Sequence, residues 1–565
     1  MHTHEGKHMI QYQAPIKTYM QLLKTFNYQN DTYDLASVEA MLNSINQFCQ
    51  QVYWPSNQLG DQTPLKYNTS DHSVTMPDFC HEVYNQLRAT GVMALGMPES
   101  YGGGDAPMVL TCLINEMLSS ANNAFTMGPG LTEGAIHALL AYADESLQQT
   151  YLPRLISGEW FGTMCLTEPH CGTDLGLIKT TAKPFEDHYK ITGTKIWISF
   201  GEHDLTSNII HLVLAKLPDA PEGSKGISLF LVPKYKLDGT RNTVFCGGLE
   251  HKMGIHICPT CVMNFEDAEG WIVGEPNQGL AAMFVMMNAA RIGVGIQGLA
   301  LAEMAYQTAV TFAKERRQSR SLNPDKRDQT QTADPILVHP DVRRMLLECK
   351  ATNEAMRALV IYTAMEHDQH GDSDRFALLT PIIKSYLTER GCHNINLAQQ
   401  VLGGSGYVKD WHIEQFYRDA RISMIYEGTN AIQAMDLVGR KLPKNQGQAF
   451  MALMTEIESQ AKNFMPQFKT ACDDVRTQLQ EAAMWLMTHA LKDPEQAGAV
   501  ATRFLNLFAL CLMTYMWGCM TRDKNPSNVA TGEYFIAHIL PESTTLLAQI
   551  KAGKKALMDL DECDF

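Results

Sequence analysis

The sequence predicts an α+β protein built from a helical domain, a β-domain, a helical bundle and an appended helical domain. Its 565 residues exceed what one ordinary core accommodates, so several domains are expected. Helical spacing of apolar residues gives way at about Trp160 to short strand-like runs and returns at about Gly279. A polar, Pro- and Gly-containing linker follows at 443–447. The predicted domains are 1–159, 160–272, 273–442 and 448–565.

The first domain is predicted to be helical because apolar residues recur at three- and four-residue intervals. Val38, Met41, Leu42 and Ile45 show this spacing, as does the stretch 110–118. The glycines in 98–107 could be interpreted as a phosphate loop. However, no strand precedes them and no Lys-Ser/Thr pair follows, so a connector between helices is favoured.

The second domain is predicted to be a β-domain because short runs of β-branched and aromatic residues are separated by Gly, Pro, Asp and Asn. The predicted strands occupy 181–199, 209–216, 226–233 and 260–265. Within the first run, strand alternation would put Lys195, Trp197 and Ser199 on one face. An indole beside a hydroxyl would suit a flat aromatic cofactor, although Trp197 could equally be part of the core.

Helices are predicted again after Gly279. The stretch 279–314 is rich in Ala, Met and Leu, but Arg291 and Glu303 interrupt it, which favours a buried helix of a soluble domain. The polar stretch 319–337 is expected to be a functional or mobile loop. Residues 504–521 are uncharged over 18 positions, at the lower limit for a membrane span. Asn506, Thr514 and Gly518 in that run favour a helix buried in a bundle, so no stable membrane insertion is expected.

Charge and cysteine content limit the classes of function. The formal net charge of −15 without a basic run disfavours nucleic-acid binding. The 14 cysteines, several in apolar surroundings, fit reduced thiols better than a disulfide framework. Residues 1–10 are polar and have no apolar core of a signal peptide, so a cytoplasmic location is expected.

Cys258 and Cys261 have CxxC spacing, but no second pair completes a zinc site and no metal is expected. Arg343 and Arg344 could bind phosphate, although a solvated helix face is favoured.

Two motifs about twenty residues apart carry the clearest indication of chemistry. CLTEPHCGTD, at 165–174, places hydroxyls around a Pro-containing turn before the β-region, and GTKIWIS, at 193–199, is the strand described above. Such a turn can present backbone N–H groups and hydroxyls to an anionic or heteroaromatic ligand. Taken alone, it would be an ordinary strand-to-loop turn.

Together these motifs resemble the flavin-binding signature of the acyl-CoA dehydrogenases. The resemblance continues through AARIGVGIQGLALAEMAYQTAVTFAKERRQSR and QQVLGGSGYVKDWHIEQFYRDARISMIYEGTNAIQ and covers essentially the whole chain. The long loop after Arg320 and the extra C-terminal helices are similar to the larger bacterial subgroup, which has an acetyl-CoA-dehydrogenase-like C-terminal domain and includes 3-methylmercaptopropionyl-CoA dehydrogenase.

The resemblance implies FAD as cofactor and α,β-dehydrogenation of an acyl-CoA, within fatty acid β-oxidation. Glu427 in IYEGTN matches the base that removes the α-proton, and Thr173, Arg291 and Gly428 match substrate-side positions. Arg316 and the segment 400–404 would reach the FAD of a neighbouring subunit. The implied cofactor contacts are Leu166, Thr167, Thr173, Trp197, Ser199, Arg316, Gln400, Gly404 and Thr429.

The chemistry explains why these residue types are needed. A thioester's α-proton is too weakly acidic to be removed by a carboxylate in water. A site that excludes water and places hydrogen-bond donors near the thioester oxygen reduces the pKa difference between the α-C–H and the carboxyl group. Met424, Ile425 and Tyr426 would make the approach to Glu427 apolar. From its neighbours alone, Glu427 could instead be a solvated turn residue.

The resemblance also implies a homodimer or dimer of dimers and an electron-transferring flavoprotein as acceptor. Two alternatives stay open: an acyl-CoA oxidase that passes electrons to oxygen, and a non-catalytic scaffold of the same fold. The sequence departs from the family at Met164, where an aromatic residue is common, and at Thr173 and Ser199, which exchange the commoner Ser and Thr. Ser319-Arg320 replaces the usual Phe-Gly and alters the local path of the loop.

Overall fold

A computed structural model describes residues 11–490 and 492–565, except for the side chain of Ala289. The polar stretch 1–10 lies outside the described residues. The described chain forms two compact units, 47–293 and a second unit of 11–46 with 294–565. Helices and a sheet domain occur in the predicted order, so the α+β fold class is confirmed. The domain boundaries at 159, 272 and 442 stay predictions.

The helices are α1 (Ile16–Thr25), α2 (Leu35–Phe48), α3 (Trp54–Gln62), α4 (Asp78–Ala89), α5 (Met108–Tyr142), α6 (Glu145–Ile156), α7 (Gly279–Glu315), α8 (Pro340–His370), α9 (Asp374–Leu402), α10 (Ile413–Arg421), α11 (Asn430–Asp436), α12 (Gln448–Ala461), α13 (Pro466–His489), α14 (Pro494–Met520), α15 (Pro526–His538), α16 (Glu542–Ala552) and α17 (Lys555–Met558).

The strands are β1 (Lys66–Asn68), β2 (Ser73–Thr75), β3 (Trp160–Cys165), β4 (Thr181–Phe185), β5 (His188–Ser199), β6 (Asn208–Lys216), β7 (Ile227–Pro233), β8 (Val244–Leu249) and β9 (Thr260–Val273). The predicted runs coincide with β4 and β5, with β6, with β7 and with the first half of β9. The sequence did not single out β3, β8 or the small β1–β2 hairpin.

The main sheet of the unit 47–293 closes on itself. β5 pairs with β4 and β9, β9 with β7, and β7 with β6. A short parallel pairing between Thr181 and Lys216 joins β4 to β6 and completes the ring. β3 runs parallel to β6, and β8 lies beside β9. Because a closed ring hides most strand edges, its strands have fixed registers.

The strand β6 is buried on both of its faces, which explains why it reads as a mostly apolar run. On β6, Leu212 and Leu214 pack into a core shared with α5 and α6, whereas Val213 and Ala215 pack into the core formed with β5 and β9. α5 approaches β3 so closely that a Cβ at Gly162 would lie 2.6 Å from the Ala135 side chain. Glycine is therefore required at this crossing.

In the other unit, α7 and α9 cross at glycines. A Cβ at Gly391 would lie 2.4 Å from the carbonyl oxygen of Gly298, and one at Gly295 would lie 2.6 Å from Ile383. The two backbones can therefore meet only if these positions are glycine. This crossing fixes α9, which supports the segment that carries Glu427.

α14 is the central helix of the C-terminal domain, and its side chains from Leu507 to Met513 are buried. Trp517 Nε1 donates a 3.2 Å hydrogen bond to the carbonyl of Ala351 in α8, and a Cβ at Gly518 would lie 2.1 Å from the Phe464 ring. By length and apolarity alone, α7 and α14 could each cross a membrane, but 53% and 67% of their most apolar windows are buried inside the protein. Core helices of soluble proteins pass the same test, as expected for 504–521.

The predicted polar loop at 319–337 has an internal anchor. Asp334 is completely buried and accepts hydrogen bonds of 2.7 Å from the backbone N–H groups of Ser321 and Asp328. These bonds hold the pKa of Asp334 below its ordinary value, even though burial opposes the shift. The loop is thus organised around one carboxylate.

Candidate active site

The turn after β3 is a candidate functional region of the unit 47–293. Glu168 and Cys171 exchange two backbone hydrogen bonds of 3.0 Å, which close the turn that contains Pro169. Leu166 is buried, Thr167 is half-buried and Thr173 is exposed. The turn therefore leaves the hydroxyl-bearing side chains of its two threonines at least partly accessible.

A buried ion pair holds this turn to β5. The Lys195 ammonium donates to Glu168 Oε1 at 2.8 Å and to the carbonyl oxygen of Leu166 at 2.9 Å. The other donors to Glu168 are Thr180 Oγ1 and the N–H groups of Lys179 and Thr180. Burial alone would raise the pKa of Glu168, but Lys195 and these donors outweigh it and hold the pKa below its ordinary value. The carboxylate is thus fully compensated inside the protein.

The strand β5 does not alternate as the sequence suggested. Its pairing with β9 shifts between Lys195 and Ile198, and Trp197 lies in the left-handed backbone region with φ +60°. As a result, Lys195 is completely buried while the Trp197 indole is 60% exposed. The prediction that Lys195, Trp197 and Ser199 share one face is wrong, because a β-bulge re-aims the side chains.

These residues fit a flat, heteroaromatic cofactor. A residue other than glycine held in the left-handed conformation, as Trp197 is at this bulge, is typical of functional positions. The N–H of Ile196, adjacent to Trp197, donates to the carbonyl of Thr167 at 3.0 Å, which ties the strand to the turn. An aromatic face beside the hydroxyls of Thr167 and Ser199 supplies the stacking and hydrogen-bonding groups that a flavin ring needs.

Glu168, His170 and Cys171 offer ligand atoms close enough together to hold a metal ion. Their hydrogen bonds argue against it. The Nε2 atom of His170 lies 2.8 Å from the Leu177 carbonyl, as expected for an N–H donor, and Glu168 already pairs with the Lys195 ammonium. A metal cation here would be repelled by the Lys195 ammonium and would face the N–H group of His170 in place of a nitrogen lone pair. Cys258 and Cys261 are buried free thiols.

Arg291, matched to a substrate-side position, lies in α7 and is 3% exposed. Its Nη1 donates to Asn288 Oδ1 at 3.2 Å, and its guanidinium lies 5.9 Å from the centre of the Phe284 ring. The Asn288 contact is within one turn of α7 and limits the orientations of the guanidinium.

A separate candidate region is the turn that carries Glu427, in the unit formed by 11–46 and 294–565. Glu427 has φ +56° and Gly428 has φ +78°, so two successive residues adopt the left-handed conformation. Thr429 then caps α11 by accepting a hydrogen bond from the N–H of Ile432. For glutamate, this backbone conformation is uncommon and needs support from its surroundings.

Support comes from side chains beneath the turn. Lys384 on α9 is completely buried and donates to the Gly428 carbonyl at 2.7 Å and to Asn430 Oδ1 at 3.0 Å. Gln433 Nε2 donates to the Glu427 carbonyl at 2.9 Å. Tyr426, preceding the turn, donates to Gln297 Oε1 on α7. The backbone around Glu427 is therefore fixed from both sides.

The remaining predicted residues lie elsewhere in the same unit. Gln400 is exposed near the C-terminal end of α9, sixteen residues beyond Lys384, a helical distance of about 24 Å, and Gly404 is exposed just after this helix. Arg316 is exposed just after α7, where Phe312 packs edge-on against Trp411 with 5.0 Å between ring centres. The structure thus does not bring Gln400 or Gly404 to Glu427.

Comparison with known proteins shows the family of the chain. Family models match the chain as the acyl-CoA dehydrogenase N-terminal domain (39–159), middle domain (163–268) and C-terminal domain (277–442), and as the acetyl-CoA dehydrogenase C-terminal-like domain (448–561). A curated relative, 3-methylmercaptopropionyl-CoA dehydrogenase of Ruegeria pomeroyi, is 39% identical over 88% of each chain.

Two solved structures share the fold. ACDH-11 of Caenorhabditis elegans in complex with C11-CoA superposes with a TM-score of 0.83 at 18% identity, covering 100% of this chain and 98% of that one. An acyl-CoA dehydrogenase of Bacillus anthracis complexed with FAD has a TM-score of 0.76 at 20% identity, covering 93% and 90%. These likenesses support the fold.

Fold and site thus define a flavoprotein oxidoreductase whose cofactor is FAD. The chain belongs to the acyl-CoA dehydrogenase family, in the form that carries the additional C-terminal domain. The family resemblance noted in the sequence is confirmed.

The sequence did not single out Lys384, Gln433 or the partner of Lys195. One signal could have found Lys384: it is a lone charge in TPIIKSYL, an otherwise uncharged stretch of a helix. A charged side chain in a buried stretch is retained only when it is paired. Glu168 gave no comparable signal, because a glutamate beside proline is ordinary in an exposed turn.

Proposed function

We propose that the protein oxidises an acyl-CoA thioester to the α,β-unsaturated product, with Glu427 as the base that takes the α-proton. The observation that carries this proposal is the left-handed turn at Glu427 and Gly428, with both carbonyls held by buried donors. A surface turn would not need a buried lysine beneath it. Strained glutamates held in this way are typical of functional sites.

Glu427 is partly buried, so water has restricted access to its carboxylate. A carboxylate that is poorly solvated is a stronger base toward a weakly acidic C–H bond than one in bulk water. The neighbouring Gly428 and Thr429 present a short backbone segment beside the acid. This arrangement suits a thioester whose α-carbon must approach the carboxylate closely.

The turn at 166–174 and the bulge at Trp197 are proposed to hold the flavin. The Trp197 indole would stack against the ring system, and Thr167, Thr173 and Ser199 would supply hydroxyls. Bound FAD supplies the two-electron acceptor chemistry that removes the β-hydrogen as hydride. Arg291, a buried cation on α7, is proposed to lie on the substrate side.

Gln400, Gly404 and Arg316 are proposed to contact FAD of a second subunit, which implies a homodimer or a dimer of dimers. Their exposure supports this proposal, as does the distance of Gln400 along α9 from Lys384. An electron-transferring flavoprotein is proposed as the acceptor, in cytoplasmic fatty acid β-oxidation. The four domains predicted from the sequence are retained as proposed boundaries.

The test is an anaerobic titration of the purified holoenzyme with acyl-CoAs of graded chain length, including 3-methylmercaptopropionyl-CoA, while the flavin absorbance is followed. We expect one size class to bleach the flavin, which names the acyl group. Glu427→Gln should retain FAD but reduce it about 10²- to 10⁴-fold more slowly, because it removes the base. Glu389→Gln, the same change at a partly buried carboxyl of α9, is the matched control.

Normal reduction by the Glu427→Gln variant would contradict the assignment of the base. Hydrogen peroxide released in stoichiometric amounts during aerobic turnover would identify an acyl-CoA oxidase instead. A flavin that no acyl-CoA bleaches would leave the fold intact and favour the non-catalytic scaffold.

A further inference from the structure

Lys384 lies where an apolar side chain would be expected. It falls within α9 in the uncharged stretch TPIIKSYL, and its side chain is completely buried. The crossing of α7 at Gly295 covers the adjacent residue, Ile383. Burial of an ammonium group is costly unless hydrogen bonds replace the lost water. Lys384 must therefore have a role that offsets this cost.

Its hydrogen bonds converge on the turn that carries Glu427. The ammonium donates to the Gly428 carbonyl at 2.7 Å and to Asn430 Oδ1 at 3.0 Å. Asn430 Nδ2 in turn donates to the carbonyl of Ser385 on α9 at 3.1 Å. The loop is thereby attached to one turn of α9. A charged donor to a carbonyl forms a shorter and stronger bond than a neutral donor.

The attachment bears directly on the backbone of Glu427. Its own carbonyl is held by Gln433 Nε2 at 2.9 Å, and the next carbonyl is held by Lys384. Because these oxygens belong to the two successive peptides on either side of the Gly428 Cα, their hydrogen bonds fix the orientation of both peptide planes. The φ of +56° at Glu427 is a conformation that a residue other than glycine seldom adopts, whereas Gly428 adopts its φ of +78° without strain. If the Lys384 bond is lost, the turn can relax and carry the carboxylate with it.

We propose that Lys384 is a positioning residue for proton abstraction, which holds the Glu427 turn in its left-handed conformation. The inference rests on the proposed role of Glu427 and deepens it. Lys384 exchanges no proton with the substrate; the α-proton passes to the Glu427 carboxylate. The lysine aligns that carboxylate with the α-carbon.

The experiment uses Lys384→Met holoenzyme, in which the side-chain length is kept and the donors are removed. Flavin reduction is measured by anaerobic rapid mixing with a saturating acyl-CoA identified by the titration above. We expect the rate to fall about 10²-fold, the size expected for a misplaced reacting group. The dissociation constant of the acyl-CoA should change less than the rate. With α-deuterated substrate, the isotope effect should increase, because proton abstraction becomes more strongly rate-limiting.

Two comparisons separate positioning from a general loss of structure. Lys350→Met removes a partly buried lysine of α8 that bonds Glu354 and Thr531, and it should leave the rate unchanged. In the Glu427→Gln background, adding Lys384→Met should cause no further loss, since the positioned group is already absent. If Lys384→Met instead caused a general structural defect, its loss of rate would multiply the loss caused by Glu427→Gln.

The outcomes distinguish this inference from the proposed function. Wild-type reduction by Lys384→Met, together with slow reduction by Glu427→Gln, overturns the role of Lys384 and leaves the proposed function intact. Normal reduction by Glu427→Gln overturns the proposed function itself. If Lys384→Met loses FAD or aggregates, Lys384→Gln carries the test, because its shorter, uncharged side chain cannot reach the Gly428 carbonyl: a slowed rate supports the inference, and an unchanged rate overturns it.

Discussion

The two candidate regions, the turn at 166–174 and the turn at Glu427, are each held by a buried lysine, but the two lysines bond to different groups. Lys195 pairs with the carboxylate of Glu168 beneath the turn at 166–174. Lys384 donates to a backbone carbonyl and to the Asn430 amide beneath the turn at Glu427. Both are completely buried, so the comparison isolates what a lysine does when its acceptor is charged and when it is neutral.

The difference teaches which property each lysine controls. Removal of Lys195 would leave Glu168 as a buried, uncompensated charge, which destabilises the folded β-domain. Removal of Lys384 would leave a carbonyl and an amide short of a donor, which is less costly to stability. The first change should therefore appear mainly in folding and FAD retention, and the second mainly in the rate of proton abstraction.

The largest stability effect is expected for Lys195→Met. The folded state should lose about 3 kcal/mol, the lower part of the range for breaking a buried ion pair, since three donors to Glu168 remain. Thermal unfolding followed by circular dichroism, with flavin fluorescence to report release of FAD, measures the loss. Because the chain has several domains, both signals should be recorded separately.

Lys190→Met is the matched control for this prediction. Lys190 lies on the same strand, 3.1 Å from Glu269, but its side chain is 26% exposed. A pair at the surface contributes at most about 1 kcal/mol. If Lys195→Met kept its stability and its FAD but slowed flavin reduction, the contrast between the two lysines would be wrong.

A smaller effect is expected for Gly428→Ala. Its φ of +78° disfavours any residue with a side chain, and the added Cβ would lie 2.8 Å from Gln433 Nε2. The strain should cost about 1–2 kcal/mol, and the displaced amide should loosen its bond to the Glu427 carbonyl and slow flavin reduction. Equilibrium unfolding and anaerobic rapid mixing measure the two effects.

Gly371→Ala separates strain from contact in that experiment. Gly371 has φ +63° and open space around the position of its Cβ. It should show the backbone cost without any change in flavin reduction. Equal rates for the two variants would indicate that Gln433 moves aside without disturbing Glu427.

The order of helical and β regions was predictable because it depends on local periodicity. The alternation predicted for β5 was wrong because a bulge depends on the partner strand, and β9 is distant in sequence. Glu427 was found from its motif, whereas the support from Gln433 and Lys384 depends on how α9 and α11 pack. Trp197 was selected as a candidate from its motif, and its exposure could not be inferred from a pattern that assumed a regular strand.

The smallest effect concerns acid stability and tests whether Glu168 is ionised when folded. Its pKa in the folded protein lies below the ordinary value of 4.5, so in acid the unfolded chain binds more protons at this group. The stabilisation is present above about pH 4.5 and is lost as the pH falls through the folded pKa. Glu168→Gln should lower the free energy of unfolding at neutral pH. In acid, it should reduce the slope of that free energy against pH by at most about 1.4 kcal/mol per pH unit.

Glu389→Gln gives the opposite sign. Burial raises the pKa of Glu389, so the folded state binds more protons there and this group makes stability decrease as the pH rises. Removing it should therefore steepen the rise of stability with pH, whereas removing Glu168 should flatten it. The melting temperatures of the two variants, measured between about pH 3.5 and about pH 6 in steps of about half a pH unit, give the slope of stability against pH for each variant. Parallel slopes would show that Glu168 is protonated when folded, and the ion pair with Lys195 would then no longer distinguish the turn at 166–174 from the turn at Glu427.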